Sequence, residues 1–320
     1  MTQPLRSVRV SGIVQLAPDI RMLTLVPPEG EALPGYAAGA HIDVQTPSGL
    51  LRQYSLCTAH HDGSSYRIAV KLVENSRGGS RAMHQLSVGD ALMIGEPRNH
   101  FPLHEARHHV LIAGGIGITP VFAMMQHLQA HGESYELHYF ARGEAFVCFR
   151  NEMRQPELAS NVHWHLGLDP QAVSAALDEI LALRPTGHHV YFCGPGALME
   201  CIEACALARG WAQDTLHKEY FSPAEQGDSP PAAEFTVKLN SSRQTFNVPA
   251  DKSILQVLRE NGLSPLSSCE QGTCGTCICK VLEGTPDHRD HFLSDFHKKS
   301  GKKIAICVSR SSSESLTLDL

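Results

Sequence analysis

The stretch SSCEQGTCGTCICK, residues 267–280, sets Cys269, Cys274, Cys277 and Cys279 within eleven positions. Disulfides, structural zinc and iron all draw on cysteine, so compartment and spacing must choose between them. The chain has 320 residues and ten cysteines. At about 100–200 residues per domain, two or three domains are expected. The opening MTQPLRSVRV lacks the apolar core of a secretion signal, and no run of about 18 apolar residues occurs. A cytoplasmic chain with no membrane partner is therefore expected. In a reducing compartment, thiols or metal ligands are favoured over disulfides.

The spacing decides among the ligand chemistries. Cys269, Cys274 and Cys277 read C-x4-C-x2-C, and 29 residues separate Cys277 from Cys307. That is the plant-type spacing for a [2Fe–2S] cluster, in which a loop and a distant strand share the ligands. Gly272 and Gly275 let the loop curl and aim N–H groups at sulfur. Structural zinc usually shows two similar short knuckles, which this segment lacks. Cys279 is left over and reads as a packed thiol. The region resembles plant-type ferredoxin domains along its whole length.

A formal net charge of −6 argues against nucleic acid, which selects a basic face. Lys298, Lys299, Lys302 and Lys303 form a local basic run, read as a solvated face or a docking patch. The segment SPAEQGDSPPAAE, 222–234, has no hydrophobic period and reads as a linker. Ahead of it lie two blocks of different character. Short runs such as RSVRVSGIVQLA, IRMLTLVPP, AHIDVQT and YRIAVKLVE, broken by Gly and Pro, suggest a small β-barrel. From HHVLIAGG onward, strands alternate with helices, as in a parallel α/β sheet. The division expected is 1–103, 104–227 and 228–320.

A cluster domain stores electrons, and the earlier blocks should supply them. RQYSLC, 52–57, ends one barrel strand. Arg52 can pair with a phosphate in bidentate fashion. SRGGS, 76–80, follows the next strand, which carries Ala69, Val70 and Lys71. Gly78, Gly79 and Ser80 open a helix there. AGGIGITP, 113–120, joins a strand to a helix, with Gly114, Gly115 and Gly117 followed by Thr119 and Pro120. Alone it is weak evidence of a pyrophosphate site. Cys193-Gly194-Pro195 ends a later strand.

These motifs, together with PRNHFPL and DHRD at 287–290, resemble the phthalate dioxygenase reductase family over the full chain. The resemblance implies an FMN-binding antiparallel barrel, a parallel α/β nicotinamide domain and a carboxyl-terminal β-grasp ferredoxin domain. It implies an oxidoreductase that takes hydride from NADH onto FMN and passes single electrons through [2Fe–2S] to a Rieske-type oxygenase on a separate chain. By the same resemblance Arg52 and the 78–80 turn hold the FMN phosphate. Gln53 faces the ribityl chain, Tyr54 packs on the flavin, and Ser55 bonds flavin N5. Cys193 and Gly194 border the nicotinamide, and Phe221, with Tyr220 as rival, stacks over the flavin. Cys269, Cys274, Cys277 and Cys307 hold the cluster. The segment Arg142-Gly143-Glu144 offers either a phosphate partner or a 2′-hydroxyl acceptor, and the resemblance leans to NADH over NADPH. A monomer is expected. Asp287-His288-Arg289-Asp290 reads either as a docking element or as a loop held by its own salt bridges.

Other acceptors, such as a ferric chelate or a haem protein, stay open, as does a zinc-stapled binding module. Cys201 and Cys205, four apart on an apolar helix, are expected in a core. HWH at 163–165 places two histidines on one strand face. A metal needs more ligands than one strand offers, so packing is expected there.

Overall fold

The computed structural model describes residues 4–59, 62–74, 78–183, 186–221 and 233–320. Residues 222–232 of the expected linker, and Ser76 and Arg77 of SRGGS, lie outside them. One compact unit ends at Glu219 and a second begins at Tyr220.

The first unit opens with an antiparallel sheet. Its strands are β1 (Arg6–Ala17), β2 (Ile20–Val26), β3 (Ala40–Gln45), β4 (Leu51–Ser55), β5 (Tyr66–Lys71), β6 (Ala91–Ile94) and β7 (Arg98–Asn99). The order is β4-β3-β6-β1-β2-β5, with β7 on β3, and a bridge from Leu56 to Ile68 closes the cylinder. Alternation sends Val8, Val10, Leu23, Leu25, Ile42 and Val44 inward to one buried cluster. Each such side chain contributes roughly 1.5–3 kcal/mol on burial. Helix α1 (Gly79–His84) follows β5 and buries Met83 in the same core.

The same unit continues into a parallel sheet of β8 (His108–Gly114), β9 (Tyr135–Ala141), β10 (Val162–Leu166), β11 (His188–Cys193) and β12 (Leu216–Glu219). Their order is β10-β9-β8-β11-β12, so the winding reverses between β8 and β11. A crevice opens outside the carboxyl ends of strands at such a reversal. Helix α2 (Ile118–His131) starts there, and Gly132 closes it in the left-handed region at φ 67°. Short helices α3 (Arg150–Met153) and α4 (Pro156–Ala159) precede β10. Helix α5 (Pro170–Ile180) is capped by Asp169, which accepts from the Ala172 N–H at 2.8 Å. It packs against α6 (Gly196–Ala208). Cys201 and Cys205 are only partly buried. The expected core role fails for Cys205, whose Sγ donates to Asp178 Oδ1 on α5 at 3.2 Å.

The second unit is a mixed sheet of β13 (Phe235–Leu239), β14 (Thr245–Val248), β15 (Ile278–Glu283), β17 (Lys303–Ala305) and β19 (Ser315–Leu318), ordered β14-β13-β19-β15-β17. A small ladder joins β16 (Pro286–Asp287) to β18 (Arg310–Ser311). Helix α7 (Ile254–Glu260) buries Ile254, Leu255, Val257 and Leu258 in this unit's core. Ser253 and Gln256 form its capping box. Helix α8 (Asp295–Ser300) precedes β17. Buried Arg310 donates to the carbonyls of Lys252, Ala233 and Pro249, which ties the helix entry to the sheet.

Candidate functional site

The cysteine loop lies between α7 and β15, and Cys307 stands just beyond β17. Cys269, Cys274, Cys277 and Cys307 are all buried. Their sulfurs come in two touching pairs, Cys269 with Cys274 and Cys277 with Cys307. A single tetrahedral ion would draw all four together. Among the described residues, no group of three or more cysteines gathers within 4.8 Å. Two pairs fit two irons, each taking two thiolates, with bridging sulfide between them.

The backbone supports that charge. The Gln271 N–H lies 3.3 Å from Cys269 Sγ, the Thr273 N–H also donates to that sulfur, and the Gly272 N–H donates to Cys307 Sγ. Gly272 has φ 73°, and a Cβ there would lie 2.7 Å from Val308 Cγ2. At Gly275, with φ 72°, a Cβ would enter the Phe292 ring. Only glycine permits this curl. Buried Asp290 braces the loop from outside. Its carboxylate accepts from the Leu293 N–H at 2.7 Å and from Ser309 Oγ at 3.2 Å, and the next residue's N–H, from His291, bonds the Gly272 carbonyl. Asp287 pairs with Arg289 at 2.8 Å. DHRD is thus held by its own bonds and supports the cluster loop. Cys279 sits in the core as a packed thiol. Lys298 of the basic run donates to the Asp290 carbonyl at 2.6 Å.

In the first unit, β4 projects Arg52 and Tyr54 to one side, Gln53 and Ser55 to the other. The Arg52 side chain lies over the α1 turn: a Cβ on Gly79 would meet its Nε at 3.2 Å. Gly78, at φ 100°, precedes that helix, and Ser80 Oγ accepts from the Val73 N–H at 3.1 Å. Arg52 and the 78–80 turn are therefore neighbours, as a shared phosphate requires. Tyr54 packs beside the barrel core. Val70 and Ala69 are buried in β5, and Lys71 lies 4.0 Å from Asp19. Gln53 donates to Asp43 Oδ1 at 3.1 Å and lies 3.2 Å from His41 Nε2.

Ser55 meets the end of the parallel sheet. Its Oγ donates to Glu219 Oε2 at 3.5 Å, and Glu219 is the register partner of Cys193. Burial raises the Glu219 carboxyl to about 8, against a smaller lowering from Ser55. Burial, then Glu219, push the Cys193 thiol well above its ordinary value, so it stays protonated. Burial, then His100 and Arg98, lower His41 to about 3. Its Nδ1 lacks a hydrogen bond and stands 3.8 Å from Glu219 Oε1, a contact between neutral groups. The sequence alone assigns Glu219 no role. Its place comes from the pairing of β12 with β11, which sets it beside Cys193.

The glycine turn is used unevenly. Gly115, at φ 52°, has open space around its Cα. Gly117 and Gly114 serve packing: a Cβ on Gly117 would lie 2.1 Å from the Cys193 carbonyl, and one on Gly114 would lie 2.5 Å from Leu198. A Cβ on Gly194 would lie 3.1 Å from Gly114 Cα, a looser contact. Thr119 Oγ1 donates to the Ile116 carbonyl at 3.0 Å, and Pro120 is buried in α2. Pro195 caps α6. Arg142 follows β9, pairs with Asp19 at 3.1 Å and lies over the Phe146 ring at 4.1 Å. Phe221 is partly buried in the second unit, where the Tyr220 ring stacks on His291 at 3.9 Å.

Two family models match: a 2Fe-2S iron-sulfur cluster binding domain over residues 237–312 and an oxidoreductase NAD-binding domain over 111–204. A vanillate O-demethylase oxidoreductase of Pseudomonas sp. strain HR199 is 43% identical over 315 residues, covering 97% of this chain and 98% of that one. The solved structure of phthalate dioxygenase reductase, described as a modular structure for electron transfer from pyridine nucleotides to [2Fe–2S], aligns with TM-score 0.76 and 38% identity over 99% of this chain and 98% of that one. The chain belongs to the phthalate dioxygenase reductase family. An intact type IV self-sufficient cytochrome P450 monooxygenase also matches, with TM-score 0.84 and 38% identity, over 99% of this chain and 41% of that one. This family member is an NADH-dependent oxidoreductase with NAD-binding and [2Fe–2S] domains. Among its described residues no helix is long and apolar enough to cross a membrane.

Proposed function

We propose that this reductase supplies electrons from NADH, through FMN and a plant-type [2Fe–2S] cluster, to a Rieske-type oxygenase on a separate chain. The observation that carries the reading is the paired arrangement Cys269/Cys274 and Cys277/Cys307, within a chain that also joins Ser55 of the barrel to Glu219 of the parallel sheet. The cofactors supply the redox chemistry, FMN accepting an electron pair and the cluster handing electrons on singly. The protein supplies binding and alignment. Arg52 and the Gly78–Ser80 turn hold the single phosphate, and Tyr54 packs on the ring system. Ser55 presents its hydroxyl to flavin N5. Gly115, with open space at its Cα, lets the dinucleotide pyrophosphate approach α2, and Cys193 and Gly194 border the nicotinamide. Phe221 is the aromatic stacked over the flavin. Protonated Glu219 holds Ser55 in place and keeps a charge out of the hydride path. Arg142 and Glu144 follow β9 where the adenine ribose is met, and NADH is favoured over NADPH. The division at 103 and 227 gives each cofactor its own block, and the chain acts as a monomer.

The match to the self-sufficient cytochrome P450 supports a haem acceptor as the second reading. The test is anaerobic. Purified protein should contain iron and acid-labile sulfide, and its visible absorption should bleach on NADH addition. Cys277→Ser should keep NADH-driven flavin bleaching and lose reduction of an added Rieske oxygenase. Protein without iron and labile sulfide overturns the proposal. Reduction of a P450 but not of a Rieske protein favours the second reading.

A further inference from the structure

The amino-terminal half of the nucleotide sheet carries a second cluster of ligand chemistry. In the parallel register His138 of β9 faces His163 of β10, and His165 follows on the same face. A cavity of about 470 Å³ opens over them, lined by His108, Glu136, His138, His163, His165 and Glu179. HWH alone offered two histidines. The neighbouring strand adds Glu136 and His138, which sequence spacing did not reveal.

Three side chains converge. One ligand atom each from Glu136, His138 and His163 lies within 4.8 Å of the others. His138 is only 7% exposed, yet its Nε2 has no hydrogen-bond partner and stands 3.6 Å from Glu136 Oε2. Its Nδ1 lies 3.1 Å from His165 Nε2. With the proton on Nδ1 donated to His165, the Nε2 lone pair is left available beside the Glu136 carboxylate. A ligating histidine is held in this way by a partner on its other nitrogen. His163 stacks beside it with ring centroids 4.7 Å apart. His163 is exposed, and a bound ion would draw the three donor atoms in to metal–ligand lengths of about 2.0–2.2 Å. His108 Nε2, 3.7 Å from Glu136 Oε1, stands next in reach.

We propose that Glu136, His138 and His163 bind a divalent transition cation of the zinc class, apart from the cluster and flavin sites. Two imidazoles and one carboxylate select borderline ions over Mg²⁺ or Ca²⁺, which prefer oxygen. The site lies near the amino ends of β9 and β10, whereas the glycine turn lies at the carboxyl end of β8.

The test uses the full-length protein with its cofactors bound. Zn²⁺ is titrated in competition with a chromophoric chelator, with excess Mg²⁺ present. The wild type should take up one equivalent with a Kd below about 100 µM. His163→Gln, at an exposed position, and Glu136→Gln should each weaken binding at least about tenfold. Iron content and cluster absorption should stay constant throughout. Absence of uptake overturns the site. Unchanged affinity in both variants, or zinc uptake matched by iron release, also overturns it, the last placing zinc at the four cysteines.

Discussion

Ser55 Oγ and Glu219 Oε2 meet at 3.5 Å although 164 positions separate them. One ends the fourth barrel strand and the other ends the last strand of the parallel sheet. The bond joins the barrel to the edge strand of the parallel sheet, beside β11. If Ser55 orients the acceptor, its loss misplaces reacting atoms without emptying either site. Ser55→Ala should then slow NADH-driven flavin reduction about tenfold to a hundredfold, with NADH binding little changed. Anaerobic rapid-mixing absorbance at saturating NADH measures this. A rate equal to wild type removes Ser55 from the reaction site.

Glu219 makes stability depend on pH. Its carboxyl sits near 8 in the folded protein, against an ordinary value of 4.5. Between those values the unfolded chain has released the proton and the folded chain has kept it. Stability therefore falls as pH rises from about 4.5 to about 8 and levels off above that. Glu219→Gln should flatten the profile, recovering on the order of 2 kcal/mol at pH 8.5 relative to pH 6. Denaturant unfolding at both pH values measures it. A variant with the wild-type pH slope shows that Glu219 is already ionised when folded.

The parts written locally were the legible ones. C-x4-C-x2-C spells a loop, and the strand and helix periods mark a barrel, an α/β sheet and a small terminal domain. Relationships across strands were hidden. Glu219 gains its role only through register with Cys193, and Gln53 turns to Asp43 on the neighbouring strand. HWH alone could not show its neighbours Glu136 and His138, which lie 27 and 25 residues before His163 in sequence and one strand over. That close strand contacts also demand glycine at Gly114 and Gly117 shows only in the folded chain. Cys205 looked like core because its helix is apolar, yet it reaches Asp178 on the next helix.

Arg52 offers a separable test of the phosphate site. Its side chain lies within 3.3 Å of the position a Cβ would take at Gly79. A planar, two-pronged donor suits a phosphate better than a point charge. Arg52→Lys keeps the charge and loses the fork, so FMN affinity should drop about tenfold, and Arg52→Ala should cost more. Fluorescence titration of deflavinated protein with FMN and with riboflavin reads the effect. The loss should appear for FMN and be absent for riboflavin. An equal loss for both assigns Arg52 to packing.

Gly117 and Gly115 sit two residues apart and should fail differently. A methyl on Gly117 would press to 2.1 Å from the Cys193 carbonyl and 2.7 Å from the Gly194 nitrogen, both backbone atoms that cannot swing away. The ends of β8 and β11 must then part, and overpacking of this kind costs about 1–3 kcal/mol. At Gly115 a methyl meets open space, and only the φ of 52° opposes it. That strain is about 1 kcal/mol. Gly117→Ala should thus lower unfolding stability more than Gly115→Ala and also slow NADH oxidation, because it moves Cys193 and Gly194. Under the proposed reading, in which the pyrophosphate approaches Gly115, Gly115→Ala should act mainly on the Michaelis constant for NADH. Thermal unfolding with steady-state kinetics separates the two. Equal stability losses with equal kinetic effects would show that neither the strand contact nor the open approach at this turn has the role assigned to it.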